Sequence, residues 1–211
     1  MSARRSLWPW LVFGALLIAA LGLRTLYALR ADPGLPVIGM VPDFALVAQD
    51  GKAFSHANVE GRVWIASFIY TTCPGPCPRV VQRASEVKRQ LGPEPDLRFV
   101  SFSVDPQADA PEVLAAYAHS HAIDTTRWSL VTGPVEAVIG LIRNGFLLSV
   151  ADAGEIDPDL VQGEGPIIHS TRLVLVDRKR RIRGYYETTD PDAMASLVAD
   201  AHALLRTPHS G

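Results

Sequence analysis

The chain has 211 residues and a formal net charge of −2, and hydrophobic residues make up 48% of it. That length leaves one domain with a sizeable core once an N-terminal segment is set aside. The near-neutral charge excludes a nucleic-acid surface as the organising feature: the longest basic run, Arg178-Lys179-Arg180-Arg181, reads as a solvated hairpin turn.

Residues Leu7 to Leu23 carry no charge, and the apolar character resumes after Arg24 as far as Leu29. Arg24 can snorkel, extending the span to about 20 residues. Trp8 and Trp10 suit one membrane interface and Tyr27 the other. Leu29 and Arg30 stand where a cleavage site wants small residues, so an uncleaved anchor is preferred to a cleaved signal. Arg24 and Arg30 oppose Arg4 and Arg5, yet the N-terminus inside and the domain outside is the preferred orientation. It puts two cysteines where they can oxidise or exchange metal. The expected division is a cytoplasmic tail over 1–6, a transmembrane anchor over 7–29, a Pro/Gly-containing linker over 30–41, a domain over 42–206 and a tail over 207–211.

Within the domain, Asp43 to Val47 and the turn Gln49-Asp50-Gly51-Lys52 predict a hairpin. Val63 to Tyr70 is continuously apolar, β-branched and aromatic, and predicts a buried strand. Val80, Val81, Ala84, Val87 and Leu91 recur at helical spacing until Gly92-Pro93 stops them. A second buried strand spans Leu97 to Val104. Asp109 as N-cap and Glu112 three positions on then open a helix with Val113, Leu114 and Tyr117 inward. His119 and His121, two apart at its end, face different ways and read as solvated helix-end groups. Gly133-Pro134 opens a helix with Val135, Val138, Ile139 and Ile142 inward, closed at Asn144-Gly145.

From Gly145 to Pro166 the chain is mostly polar, an ordered insertion or lid, and its carboxylates lack EF-hand spacing. His169-Ser170 leads into strands Thr171 to Val176 and Ile182 to Glu187. Asp190-Pro191 then caps a last helix with Met194, Leu197, Val198, Ala201, Leu204 and Leu205 inward. His56, His202 and His209 are expected at the surface. A helix between the first two long strands implies a parallel pair, and the last two strands form an antiparallel hairpin. The expected fold is α/β: a thioredoxin-like mixed sheet flanked by helices, preceded by one N-terminal transmembrane helix.

Both cysteines lie in Thr71-Thr72-Cys73-Pro74-Gly75-Pro76-Cys77-Pro78, at the carboxyl end of the first long strand, where such folds place their chemistry. Free backbone N–H groups and the helix dipole there favour thiolate, and the pair is expected to be partly exposed. Three roles compete: a redox pair, a metal site and a structural staple. The staple closes too short a loop to stabilise much. For a metal, His169 is the histidine with a topological reason to approach, because it starts a core strand neighbouring the first. Two thiolates and an imidazole suit Cu(I), or Cu(II) with a fourth weak ligand. Zinc would want a fourth strong ligand, or a water with an acid or base beside it. In the redox alternative Cys73 attacks and Cys77 resolves. Peroxidase chemistry finds only Arg79 in its support.

The motif Phe68-Ile69-Tyr70-Thr71-Thr72-Cys73-Pro74-Gly75-Pro76-Cys77-Pro78, the stretch Ser103-Val104-Asp105-Pro106 through Asp109-Ala110-Pro111-Glu112 to Tyr117-Ala118, and His169-Ser170 together resemble the Sco/SenC copper chaperones of cytochrome c oxidase assembly. The resemblance implies a domain tethered at the inner membrane by a single pass, on the periplasmic side. It implies one copper ion on Cys73, Cys77 and His169, passed to the dinuclear copper centre of oxidase subunit II. Other periplasmic copper chaperones or thiol reductants are further implied partners, and some members look like thiol–disulfide reductants or redox sensors. The implied protein is an assembly factor, not an enzyme in the turnover sense. Two departures stand out. Ile168 replaces the aspartate usual before the family's histidine, so a carboxylate orienting the imidazole must come from elsewhere. The three-residue spacer and the early Pro166 depart from thioredoxins proper.

Overall fold

The computed structural model describes residues 8–30, 34–73, 75–148 and 171–207. Pro74, most of the acidic stretch and His169 lie outside the described residues. Helix α1 spans Trp8–Arg30, and its described apolar side chains, Trp8, Trp10, Phe13, Leu17 and Ile18 among them, are exposed. Among the described residues no helix is long and apolar enough to cross a membrane.

The domain is built on one mixed sheet. Its strands are β1 (Gly39–Met40), β2 (Ala45–Ala48), β3 (Ala53–Ser55), β4 (Val63–Ile69), β5 (Leu97–Ser103), β6 (Trp128–Thr132), β7 (Arg172–Val176) and β8 (Arg181–Glu187), in the order β1-β8-β7-β4-β5-β6-β2-β3. β4 is parallel to β5 and antiparallel to β7, which forms the expected hairpin with β8. Every residue of β4 is buried, as its unbroken apolar run requires of a central strand. Helices α2 (Pro76–Leu91) and α5 (Pro191–Arg206) pack on each other and on the β4, β7 and β8 region; α3 (Pro111–Ser120) lies against β6, and α4 (Val135–Gly140) against β2.

Several local expectations hold. Gly51 takes φ 76° in the predicted turn, and Asp50 accepts from the Lys52 amide. Asp190 caps α5 by accepting from the Asp192 amide at 2.9 Å. Others are corrected. β6 is a strand that the apolar pattern hid, because its five residues include Ser129 and Thr132 and a parallel partner is visible only in three dimensions. Gly39 and Met40, expected within a linker, pair with Ile182 and Arg181 of β8. Val113 is exposed, and Leu114, Tyr117 and Ala118 form the inner face of α3. Asp109 does not cap α3: the N-cap is Ala110, without a side-chain bond.

The start of the expected polar insertion belongs to the core. A π-helical turn, Leu141–Gly145, delivers Phe146 to a fully buried position. Its ring meets Phe68 at 5.1 Å, Phe102 at 5.2 Å and Trp64 at 5.9 Å, the edge-on and tilted contacts that aromatic quadrupoles favour. Three buried polar groups on the sheet satisfy one another: the Ser67 and Ser101 hydroxyls lie 2.7 Å apart, and the Trp128 indole donates to Ser101 at 2.9 Å. Near the amino end of β4, Asp177 is gripped by buried Arg183 at 2.8 Å and by Arg181 at 2.7 Å. Arg183 also donates to the Leu35 carbonyl at 2.6 Å, tying the segment before β1 to the sheet.

Candidate metal centre

β4 ends at Ile69 and α2 begins at Pro76, so the cysteines occupy the turn between a central strand and a helix. Pro76 fits the first helical position, where its missing N–H costs nothing. The Cys73 amide donates to the Tyr70 carbonyl at 3.3 Å, closing the turn. The Cys77 amide donates to the Cys73 sulfur at 3.5 Å. Both residues are free thiols. Contrary to the expected partial exposure, Cys73 is 9% and Cys77 5% exposed, and both belong to the buried core.

The two sulfurs differ electrostatically. Burial pushes the Cys73 thiol up, but hydrogen bonds from the Tyr70 and Cys77 side chains and from the Cys77 and Gly75 amides outweigh it. Its pKa therefore lies below the ordinary thiol value. Cys77 is pushed up to about 12, by burial first and then by its hydrogen bond to Cys73 and the nearby charges of Cys73 and Asp109. The pair thus gives up its first proton, from Cys73, more easily than the second. Cys73 should be alkylated by iodoacetamide well ahead of Cys77 at neutral pH; peptide mass mapping checks this, and equal labelling would refute the ordering.

Around the sulfurs stand residues whose roles the sequence hid. Asp109 accepts from the Thr71 hydroxyl at 2.6 Å and amide at 3.2 Å, and from the Ser103 hydroxyl at 2.6 Å. Tyr117 is 7% exposed, and among the described residues its hydroxyl has no hydrogen-bond partner. Burial and the charges of Cys77, Cys73 and Asp109 raise its pKa. Its ring stacks on His121 at 3.9 Å, and His121 Nδ1 lies 3.0 Å from the Tyr117 carbonyl, so that histidine is held instead of freely solvated. His119 is exposed, as expected. The Asp-x-Pro-Glu pattern imitates a capping box and drew Asp109 to the wrong partner; no local signal points to Thr71.

Cys73 and Cys77 are therefore brought together, while His169 lies outside the described residues, as does the acidic stretch beyond 148. Among the described residues no group of three or more His, Cys, Asp or Glu converges as a metal site. Two adjacent soft sulfurs, one already inclined to ionise, fit a thiophilic ion such as Cu(I).

The sheet, its helices and a cysteine pair on the strand-to-helix turn define a thioredoxin-like α/β domain. The chain belongs to the SCO1/SenC family, whose family model matches residues 37–205. It is 32% identical over 168 residues to the SCO1 protein homolog of Bacillus subtilis, spanning 78% of this chain and 83% of that one. It is 29% identical over 156 residues to a Stutzerimonas stutzeri protein whose name describes copper binding, spanning 72% and 71%. Among solved structures it resembles BsSco, described as a Sco-family cytochrome c oxidase assembly protein with a disulfide switch, at 26% identity and a TM-score of 0.68 over 84% of this chain and 98% of that one.

Proposed function

We propose that this protein is a membrane-anchored copper carrier: it takes one copper ion on Cys73, Cys77 and His169 and hands it to the dinuclear copper site of cytochrome c oxidase subunit II. The observation that carries this reading is the pair of free, mutually hydrogen-bonded thiols at the carboxyl end of β4. Topology supports the third ligand. Trp64 faces Val176 and Ala66 faces Val174, so β7 starts at the sheet end where the cysteines sit, and His169 precedes Arg172 by three residues. Family membership and the copper-binding and oxidase-assembly descriptions of its relatives support the cargo and the partner.

Anchoring rests on the sequence, in which Leu7 to Leu23 carry no charge and the apolar character resumes after Arg24 as far as Leu29. With residues 7–29 in the membrane and 1–6 in the cytoplasm, the domain lies on the periplasmic side. Release of copper proceeds by ligand exchange, and oxidation of the pair to a disulfide abolishes binding.

Copper titration of the reduced full chain, read by thiolate-to-Cu(II) charge-transfer absorption, tests the ligand set. His169→Ala should keep the thiolate bands, shift their energy and weaken binding; an unchanged stoichiometry and spectrum would remove the histidine from the site. The unequal thiols favour a second reading, a thiol–disulfide oxidoreductase or redox sensor in which Cys73 attacks and Cys77 resolves. Rapid reduction of a model disulfide, equally fast in His169→Ala, would favour it.

A further inference from the structure

Asp109 is fully buried. It meets Thr71 at both amide and hydroxyl, with the amide 3.2 and 3.3 Å from its two oxygens, and Ser103 at its hydroxyl. All of these donors are neutral, and a buried carboxylate held only by neutral donors is a costly way to join three segments. Helix α3 does not need it, since Ala110 is the N-cap. What it joins is informative. Thr71 is two residues before Cys73, Ser103 ends β5, and the Ser103 hydroxyl also accepts the Asp105 amide at 3.1 Å. The negative charge also reaches the sulfurs' surroundings, since it helps to raise both Cys77 and Tyr117.

We infer that Asp109 is a positioning residue for the sulfur pair. By gripping Thr71 twice it fixes the turn that carries Cys73, and with it the placement of the two sulfurs offered to a metal ion. The metal half rests on the copper-carrier reading; the clamp stands on the thiols alone.

Two substitutions separate the effects. Asp109→Asn keeps the shape and weakens the grip on Thr71 and Ser103 together, whereas Thr71→Val removes the Thr71 hydroxyl grip alone. In the purified full chain, Cu(I) affinity is measured by competition with a chromophoric chelator. The Cys73-to-Cys77 alkylation ratio is measured on metal-free protein by mass mapping, and folding is checked by circular dichroism. Asp109→Asn should weaken Cu(I) binding by about tenfold to a hundredfold, the range for outer-shell partners of a metal site. Thr71→Val should shift the alkylation ratio severalfold, and Thr71→Ser should restore it. Folded variants with wild-type affinity and a wild-type alkylation ratio overturn the inference. Should Asp109→Asn fail to fold, an unchanged ratio in Thr71→Val overturns the clamp by itself. A wild-type chain that binds no copper sinks the carrier reading instead, and the alkylation ratio still decides the clamp.

Discussion

Cys77→Ser should abolish copper binding by the full chain, and Cys73→Ser should do the same. Losing an outer-shell partner costs about tenfold to a hundredfold in metal affinity; losing one of two soft donors should exceed that. A serine hydroxyl is hard, stays protonated and cannot replace a thiolate for Cu(I). The unequal thiols add a pH dependence. Cys77 keeps its proton up to about 12, so copper must displace that proton, and affinity should rise as pH rises. Chelator competition across a pH series checks both statements. Near-native affinity in Cys77→Ser, or affinity that falls with rising pH, would end the dithiolate account.

The second large effect concerns the fold. Asp177→Ala removes the carboxylate that pairs with Arg183, whose side chain is only 1% exposed. Arg183 then loses its buried carboxylate partner, a loss of about 3–5 kcal/mol, and the melting temperature should fall by on the order of 10 °C. The Lys179 and Arg181 amides lose their acceptor as well. Burial raises the Asp177 pKa, but bonds from the Arg181 amide and from the Arg183 and Arg181 side chains outweigh it, so the group lies below the ordinary carboxyl value. Its contribution is therefore present above about pH 4 and is lost as pH falls through the folded-state pKa. Melting curves of wild type and Asp177→Ala should converge in acid; a constant gap would assign the stabilisation to packing.

The sulfur turn was legible because its determinants are contiguous: a buried run, prolines, two cysteines and a helical repeat within about thirty residues. The β4–β5 parallel pair and the β7–β8 hairpin followed from element order, and both hold. What escaped was set by partners distant in sequence. Phe146 looks like the edge of a polar insertion until Trp64, Phe68 and Phe102 surround it. Asp109 matches a capping pattern, yet it accepts from Thr71, a residue 38 positions away. β1 is two residues long and carries no strand signal apart from the β8 edge it completes. The partial exposure expected of the cysteines failed for a related reason: Thr72 and Gly75 of the turn are exposed, but the two cysteine side chains join the core.

That short β1–β8 pairing has an orientational consequence. Gly39 and Met40 sit beside Ile182 and Arg181, at the level of Val176 and Trp64 and so at the amino end of β4. The sulfurs lie past its carboxyl end, roughly 20 Å further along the strand direction. β1 runs antiparallel to β8, so this pairing closes the edge of the sheet at the amino end of β4. That edge and the sulfur turn are thus held by separate contacts at opposite ends of β4.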